Sequence, residues 1–257
     1  MSDPAQIAGD FLSLLSRHQA LALPGQVGGD APLQTQATTV FAFHFSEGVL
    51  MCGDRRATAG NVIVTDQVEK IIDLDDTSLL AIAGVPATAF EMARVLRTSF
   101  EYYRRSQLQT LSLAAKVRSL ARLLRENLPM TLQGVGVVMP LFAGVDASIA
   151  PGEPQIYFYD PLGAQFHAVG HAASGSGAGS IRSIMSFQAR YGQPRPADMD
   201  LREAVRFALR LLMTAAEFDS ATGGVNPDAH TFATIKVLRT AGAETVGADR
   251  QAELLTS

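Results

Sequence analysis

The chain has 257 residues, 47% of them hydrophobic, a formal net charge of −4 at pH 7 and a single cysteine. This length fits one sizeable domain with a leader, and the slight negative charge argues against a nucleic-acid partner. Cys52 cannot form a disulfide within the chain, which excludes a disulfide-stapled secreted domain and is typical of a reducing compartment. No apolar run is long enough to span a membrane, and the N-terminus lacks the basic start of a secretory signal. We therefore expect a cytoplasmic protein.

Residues 1–37 differ in pattern from the rest of the chain. Ile7, Phe11 and Leu14 share one face of a short predicted helix, and residues 24–32 are rich in glycine and proline, which is typical of irregular chain. A strand pattern starts abruptly at Thr39. A frayed terminus and a removable leader are the two alternatives, and the abrupt start of the strand pattern favours the leader.

After this leader, the first half of the chain has a block of strands followed by two helices. Apolar residues at helical spacing predict helices over residues 86–105 and 112–127, with Ser112 as an N-cap and Pro129 just beyond the second helix. Strands are predicted over residues 39–45, 49–53, 61–65, 69–74 and 78–83.

The second half repeats this order, and the polar tail after Arg239 shows no clear core pattern. Helices are predicted over 177–191 and 200–218, and strands over 135–144, 155–159, 165–169 and 231–238. Strand blocks that alternate with helix pairs predict an α+β fold. Two sheets would pack face to face with a helix layer outside each, a four-layer αββα sandwich.

Thr38 is the strongest candidate for a chemical role, because several functional residue types follow it at strand ends. Asp54 closes the second predicted strand, Lys70 lies in a later one, and Gly84 ends the strand after that. A threonine hydroxyl is a poor nucleophile without a nearby base, and one known solution uses the threonine's own α-amino group. That amine exists only after the Ala37–Thr38 bond is cut, so the uncut chain would be a zymogen.

Each of these residues also has a structural interpretation. On pattern alone, Asp54 is more typical of a solvated carboxylate and Lys70 of a surface lysine, and Gly84 is typical of a strand-ending glycine. Cys52 alternates inward on a strand and is predicted to be a core thiol. His167 and His171 lack a third ligand, so we predict no metal site.

Two later segments are rich in small polar residues. Residues 174–180, Ser-Gly-Ser-Gly-Ala-Gly-Ser, could be a linker or a phosphate cradle, but they lack the lysine of a P-loop, so nucleotide binding is disfavoured. Residues 219–224, Asp-Ser-Ala-Thr-Gly-Gly, could be only a loop that ends a helix.

Taken together, the segments from Thr38 to about Arg239 resemble the β-subunits of the bacterial proteasome, of the actinobacterial type. The order and spacing of the segments carry the resemblance, since each is weak alone. They are TTVFAF from residue 38, GVLMCGDRRATAGN from 48, VEKI from 68, AIAG from 81, GSG from 175 and DSATGG from 219.

The resemblance implies a threonine-type endopeptidase in which residues 1–37 are a propeptide and residues 38–257 form the catalytic domain. Autocatalytic cleavage between Ala37 and Thr38 would release the nucleophile. Asp54 and Lys70 would lie beside it, and the aspartate would hold the lysine charged. The backbone N–H of Gly84 would form the oxyanion hole.

The resemblance also brings the two polar segments to this site. Ser176 would hydrogen-bond the terminal amine, with Ser174 as an alternative, and Asp219 and Thr222 would join the same cluster. Arg56 matches a structural arginine of the family.

For substrates, the resemblance implies an apolar pocket and hence cleavage after hydrophobic residues. Backbone groups near Thr58 would hold the substrate as an added strand. The implied pocket residues are Ala57, Val68, Ile72, Ile82, Pro86 and Phe90.

The implied partners are proteasome α-subunits and further β-subunits, in heptameric rings stacked α-β-β-α. An ATPase regulator would act through the α-ring, and no cofactor is implied.

One position departs from the family pattern, which usually has glycine before the nucleophile where this chain has Ala37. A Cβ restricts the tight turn that self-cleavage needs. The first alternative is therefore a catalytically silent ring subunit that keeps its propeptide, although the intact set of Thr38, Asp54 and Lys70 argues against it. A second alternative, a related hydrolase acting on small amides, is disfavoured by the two matching DRRAT and DSATGG segments.

Overall fold

The computed structural model describes residues 38–59, 62–146, 152–226 and 231–256. The predicted propeptide, including Ala37, lies outside these residues. The strands in chain order are β1 (Thr39–Phe45), β2 (Gly48–Gly53), β3 (Ala57–Ala59), β4 (Val62–Thr65), β5 (Ile71–Asp75), β6 (Ser78–Ala81), β7 (Leu141–Gly144), β8 (Gln155–Tyr159), β9 (Gln165–Ala168), β10 (His171–Gly175), β11 (Thr234–Arg239) and β12 (Gly242–Thr245).

The helices in chain order are α1 (Pro86–Gln107), α2 (Leu113–Glu126), α3 (Leu128–Leu132), α4 (Ala178–Tyr191), α5 (Leu201–Phe218) and α6 (Ala248–Thr256). Two of them begin at side-chain caps that their sequences supply. Ser112 accepts a hydrogen bond from the Ala115 N–H, and Asp200 and Glu203 form a reciprocal capping box. In the described ranges, no helix combines the length and apolar character needed to cross a membrane.

The strands form two five-stranded antiparallel sheets and one short hairpin. The first sheet has the order β10-β1-β2-β11-β12, the second has the order β5-β6-β7-β8-β9, and β3 pairs with β4. Alternate residues of a strand face opposite sides of its sheet. Each sheet therefore presents one apolar face to the other sheet and one to helices.

Three apolar clusters show the order of the layers. Side chains such as Val40 of β1 and Leu79 of β6 meet between the two sheets. On its other face, the first sheet packs through Phe41 against α4 and α5. The second sheet packs its outer face, including Phe142, against α1 and α2. This is the predicted four-layer αββα sandwich.

Several element boundaries differ from the sequence prediction. The strand predicted over 135–144 is reduced to Leu141–Gly144, because Pro140 interrupts it and only Val138 forms a bridge, with Gly84. Pro129 lies at the start of the short helix α3 and not just past a helix end. The prediction missed β3 and β10, and the tail prediction was wrong, since the tail forms β12 and α6.

Candidate active site

The candidate site lies at one end of the first sheet, where β2 and β10 end and β1 and β11 begin. Thr39 pairs with Gly175, and Val40 pairs with Gly53. Gly53 in turn pairs with Thr234 at the start of β11. The register therefore places the start of β1 beside the end of β2, where Asp54 follows.

Asp54 is the most heavily hydrogen-bonded group at this end of the sheet, and it is only 1% exposed. Its Oδ1 accepts from the Thr39 N–H at 2.8 Å and from Lys70 Nζ at 2.6 Å. Its Oδ2 accepts from the backbone N–H groups of Arg56 at 3.0 Å and Gly223 at 2.9 Å. Four donors satisfy the buried carboxylate and fix its orientation.

Lys70 is also only 1% exposed, and its ammonium donates to the Arg56 carbonyl at 2.5 Å as well as to Asp54. Burial lowers the pKa of Lys70 more than the negative charge and hydrogen bond of Asp54 raise it. The structural alternative for this residue, a surface lysine, is therefore wrong. A buried lysine paired with a buried carboxylate is an arrangement typical of functional sites.

Thr38 is 6% exposed and is held by the segment that contains the Gly-Ser-Gly sequence. The N–H of Ser176 donates to the Thr38 carbonyl at 3.0 Å. Gly175 has a φ of +98°, and a Cβ at this position would overlap the same carbonyl oxygen. Glycine is therefore required for β10 to approach Thr38 this closely.

Thr39 starts a chain of hydroxyl groups that reaches Asp219. Its Oγ1 accepts from the Gly177 N–H at 3.0 Å and lies 2.6 Å from Thr222 Oγ1. Thr222 Oγ1 donates to Asp219 Oδ2 at 2.5 Å. Because Thr222 has one hydroxyl proton and gives it to Asp219, Thr39 is the donor to Thr222.

Asp219 accepts hydrogen bonds from three groups. Burial raises its pKa, but hydrogen bonds from Ser176, Thr222 and the Ala221 N–H together outweigh burial, so the pKa lies below the ordinary aspartate value. Ser174 instead donates to the Met139 carbonyl at 2.7 Å. The structure therefore brings Ser176, and not Ser174, to Asp219.

Gly84 has a φ of +110°, which disfavours any residue with a Cβ. A Cβ here would also overlap the carbonyl oxygen of Val137. The hydrogen bonds around its bridge with Val138 are made by the flanking residues, Val85 N to Val137 O and Met139 N to Ala83 O. In such a pair, the N–H of Gly84 points away from the bridged segment. The Gly84 N–H therefore points to the other side of the strand. On that side, the Ile82 N–H donates to the backbone carbonyl of Lys70.

The predicted substrate residues do not share one environment. The buried ones are Ala57, Thr58 and Ile82. The partly buried ones are Val68, Ile72 and Pro86, and Phe90 is exposed. Only Ile72 and Phe90 line a cavity of about 430 Å³ between β5 and α1. The charged side chains that line it with them are Glu69, Asp73, Arg94, Arg97 and Lys236.

The remaining candidates have structural explanations. Cys52 is fully buried in the core beneath α4 and α5, and burial raises the pKa of its thiol, followed by the nearby charge of Asp54. It is therefore a core thiol and a poor nucleophile at neutral pH. Within the described ranges, no three His, Cys, Asp or Glu side chains are grouped closely enough to hold a metal ion.

Sequence reasoning missed three residues of the site. Thr39 supplies both its N–H and its hydroxyl, and Gly177 and Gly223 supply backbone N–H groups. All three lie within the sequence segments already singled out. Only the pairing of distant segments reveals their roles, because backbone donors have no residue-type signature.

Comparisons with known proteins show which family the chain is similar to. A family model described as Proteasome subunit matches residues 34–226. The chain is 39% identical over 231 residues to the Proteasome subunit beta of Acidimicrobium ferrooxidans, covering 88% of this chain and 80% of that protein. It is 38% identical over 222 residues to the Proteasome subunit beta of Acidothermus cellulolyticus, covering 83% and 73% respectively.

Proposed function

The chain belongs to the proteasome subunit family, and we propose that it is a catalytic β-subunit, a threonine-type endopeptidase whose nucleophile is Thr38. The single observation that carries this proposal is the shared oxygen of Asp54. One carboxylate oxygen binds both the Lys70 ammonium and the N–H of Thr39, the residue next to the proposed nucleophile. The buried Lys70 ammonium is thereby tied through Asp54 to the residue that follows the proposed nucleophile.

The proposed reaction is acyl transfer through Thr38. The free α-amine of Thr38 accepts the hydroxyl proton as Oγ1 attacks the carbonyl carbon of the scissile peptide bond. The nearby positive charge of Lys70 favours the developing alkoxide. The N–H of Gly84 would donate to the oxyanion of the tetrahedral intermediate, and one such donor is worth roughly 3 kcal/mol.

The second half of the reaction restores the enzyme. The amine that leaves takes the proton, and the acyl group remains as an ester on Thr38. Water then attacks the ester, with the α-amine again accepting a proton, and releases a peptide with a free carboxylate. The chain of Thr39, Thr222 and Asp219 would hold the segment next to the amine in position.

Maturation is the second part of the proposal. The α-amine of Thr38 is available only after residues 1–37 are removed by cleavage between Ala37 and Thr38. The close packing of the Thr38 carbonyl against Gly175 and the Ser176 N–H supports a fixed backbone on the C-terminal side of this bond. The alternative, a silent subunit that keeps its propeptide, leaves the buried Asp54–Lys70 pair without a chemical role.

Assembly is the third part. Family membership implies a place in a proteasome core beside other subunits, and we propose heptameric rings stacked α-β-β-α with an ATPase regulator on the α-ring. Large apolar side chains are exposed on the outer helices, including Phe187 and Tyr191 of α4 and Phe218 of α5. Exposed apolar groups on this scale are typical of protein interfaces.

N-terminal sequencing and intact mass of the active, assembled protein test the proposal. We expect the mature chain to begin at Thr38, Thr38→Ala to keep its full-length mass and hydrolyse nothing, and Thr38→Ser to keep some activity. Ala37→Gly should speed processing if the alanine Cβ is the obstacle. An active preparation that still begins at Met1 would falsify the mechanism.

Two further measurements separate the alternatives. Sedimentation after mixing with the cognate α-subunit should show a ring-sized particle, and a chain that stays monomeric contradicts the assembly. Comparable turnover of small amides and peptides would favour the small-amide hydrolase, whereas we expect hydrolysis of peptides alone.

A further inference from the structure

An ion pair that has no part in the proposed reaction lies beside the candidate site. Asp66 follows β4, and its Oδ1 accepts from Arg56 Nε at 2.9 Å. Both side chains are partly exposed, 38% for Asp66 and 23% for Arg56. Ion pairs with this much exposure usually contribute little to stability. The importance of this pair therefore depends on what Arg56 itself contacts.

Arg56 connects the separate parts of the candidate site. Its backbone N–H donates to Asp54 Oδ2 at 3.0 Å, and its carbonyl accepts from Lys70 Nζ at 2.5 Å. Its guanidinium donates through Nη1 to the carbonyls of Ser220 at 3.1 Å and Thr222 at 3.4 Å. One residue thus contacts the buried ion pair with its backbone and the loop that follows α5 with its side chain.

The loop that follows α5 packs directly on Arg56. A Cβ at Gly223 would lie only 2.9 Å from Arg56 Cβ. The same loop contains Thr222, whose hydroxyl joins Thr39 to Asp219. The orientation of the Arg56 guanidinium therefore bears on the chain of hydroxyl groups beside the proposed nucleophile.

The backbone holds Asp66 in place for its contact with the guanidinium. Thr65, the last residue of β4, pairs with Ala57, and the Val68 N–H donates to the Arg55 carbonyl at 3.0 Å. Asp66 lies between these two attachments. Because both ends of its short segment are fixed, the carboxylate is presented to the guanidinium at little cost in conformational entropy.

Asp66 also acts on Lys70 through its charge. Burial lowers the pKa of Lys70 most, and Asp54 opposes burial. Of the more distant groups, Arg56 lowers this pKa and Asp66 raises it, while the charge of Lys70 in turn lowers the pKa of Asp219. Asp66 thus offsets the effect of the arginine, and without Asp66 the lysine would lose its proton at lower pH.

We propose that Asp66 is a positioning residue for the proposed reaction: it holds the Arg56 guanidinium against the loop that follows α5 and offsets the arginine charge beside Lys70. It acts through these residues and not on the substrate itself. The inference rests on the proposed function, because it concerns the rate of that reaction. The alternative is an ordinary surface ion pair, which predicts a small effect on stability and none on kcat.

Asp66→Asn tests the proposal. Hydrolysis of one fluorogenic peptide is measured across pH on the assembled protein, and kcat is expressed per chain that begins at Thr38. We expect kcat to fall by about tenfold at the wild-type optimum and KM to change less than about twofold. The alkaline decline of kcat should also move to lower pH. A kcat within about twofold of the wild type, or an alkaline decline at unchanged pH, overturns the proposal.

Two more substitutions at this position support the test. Asp66→Ser is a second neutral variant with the same expected outcome, and it replaces Asp66→Asn if that variant does not fold. Asp66→Glu keeps the carboxylate and should bring kcat to within about threefold of the wild type, with the alkaline decline at the wild-type pH. A glutamate variant as slow as the neutral ones contradicts a role for the charge.

Glu47→Gln is the matched control for loss of a partly exposed ion pair. Glu47 lies 2.9 Å from Arg239 at the other end of the first sheet, and the two side chains are 45% and 25% exposed. Arg239 keeps Glu244 as a second partner, as Arg56 keeps its loop carbonyls. The control should keep the wild-type kcat and pH profile. An equal fall of kcat in Glu47→Gln would assign the effect of Asp66→Asn to stability.

Arg56→Gln shows whether Asp66 acts through the arginine. At the optimum pH, adding Asp66→Asn to Arg56→Gln should lower kcat less than about twofold further. A further fall of about tenfold contradicts the proposal. Wild-type turnover separates this inference from the proposed function. A wild-type chain that begins at Thr38 and hydrolyses no peptide refutes both, whereas an active wild type with an equally active Asp66→Asn variant refutes this inference alone.

Discussion

Lys70 Nζ lies 2.6 Å from Asp54 Oδ1, and neither side chain has more than about a hundredth of its surface exposed. The Asp54–Lys70 pair bridges two sheets, because Asp54 follows β2 of the first sheet and Lys70 precedes β5 of the second. Buried ion pairs seldom stabilise a fold more than apolar residues of the same volume would. This pair is therefore better explained by chemistry than by stability.

Replacing Lys70 should eliminate turnover and also lower stability. Lys70→Ala leaves Asp54 buried without its cation, which costs about 3–5 kcal/mol. Three backbone N–H groups still bind the carboxylate, so we expect the variant to fold. Peptide hydrolysis and thermal unfolding, measured on the same preparation, check both effects.

Lys116 is a matched control for this experiment. It is also 1% exposed and pairs with one carboxylate, Asp75 at 2.6 Å, but it lies among α1, α2 and β5. Lys116→Ala should lower the melting temperature by a similar amount and keep the activity per folded molecule. Equal loss of activity in both variants would show that Lys70 acts only through stability.

Activity should decline at high pH because Lys70 loses its proton. Burial lowers its pKa, so the charge that favours the alkoxide should disappear below the ordinary lysine value of about 10.4. The unfolded chain binds more protons than the folded chain between these two pKa values, so this group's contribution to stability rises with pH there. Loss of the Lys70 proton should therefore lower kcat without unfolding the protein.

Lys70→Arg tests this assignment, since arginine stays charged throughout the accessible range. Any residual activity of the variant should lack the alkaline decline of the wild-type pH profile. A decline at the same pH in Lys70→Arg would assign it to another group.

Substituting Gly84 should damage both the oxyanion hole and the backbone. Gly84→Ala forces a Cβ against the Val137 carbonyl at a φ of +110°, so the segment must move, at a cost of about 1–3 kcal/mol. A displaced N–H should lower kcat by about 100-fold or more. Steady-state kinetics with one fluorogenic peptide measure this.

Gly134→Ala supplies the comparison. Gly134 also has a positive φ, +73°, but no atom lies within 4 Å of the position its Cβ would take. We expect a loss of stability of roughly 1 kcal/mol and an unchanged kcat. A similar fall in kcat for both variants would argue against the oxyanion role of Gly84.

The hydroxyl group of Thr222 should matter more for activity than the shape of its side chain. Thr222→Val keeps the volume but leaves the Thr39 hydroxyl and Asp219 without a common partner, whereas Thr222→Ser keeps the hydroxyl. We expect about a tenfold or larger fall in kcat for valine and little change for serine. The reverse order would show that methyl packing is what the site requires.

Acid unfolding gives a second readout of the same contact. The pKa of Asp219 is below its ordinary value, so its stabilising contribution is present above about pH 3.9 and is lost as pH falls through the lowered pKa. Removing the Thr222 hydrogen bond should raise that pKa. The valine variant should therefore begin to unfold at a higher pH than the wild type, and the serine variant should not.

Peptides with a hydrophobic residue at P1 should be cleaved faster than those with arginine or glutamate. The reason is that Ala57, Ile82 and Pro86 offer no charge to pair with a charged side chain. The cavity beside Ile72 contains both charges, and its Asp73–Lys236 pair lies 2.7 Å apart. Asp73→Asn should leave the preference unchanged. Equal turnover of an arginine-P1 peptide, or an altered preference in Asp73→Asn, would contradict the apolar pocket.

The sequence predicted the layers of the fold well because their patterns are strong. The apolar stripe of α5 located that helix to within one residue. In contrast, β10 is short and contains alanine, serine and glycine in place of β-branched residues, so nothing marks it as a strand. The helix α6 escaped prediction because little more than Leu254 and Leu255 anchors it to the core.

The residues of the candidate site also fall into those that the sequence could predict and those that it could not. Asp54 and Lys70 could be proposed from their strand-end positions and the family resemblance, but not their burial, since both residue types are usually solvated. The contributions of Thr39 and Gly223 could not be predicted, because they depend on which backbone groups meet after folding.

The bond between the hydroxyls of Thr39 and Thr222 joins residues 183 positions apart, and Asp54 meets Gly223 across 169 positions. A chain emerging from the ribosome cannot make either contact until most of its length has been synthesised. The proposed self-cleavage is therefore a post-translational event that the connectivity itself delays. Self-cleavage that depends on these contacts can begin only after residue 223 has been synthesised.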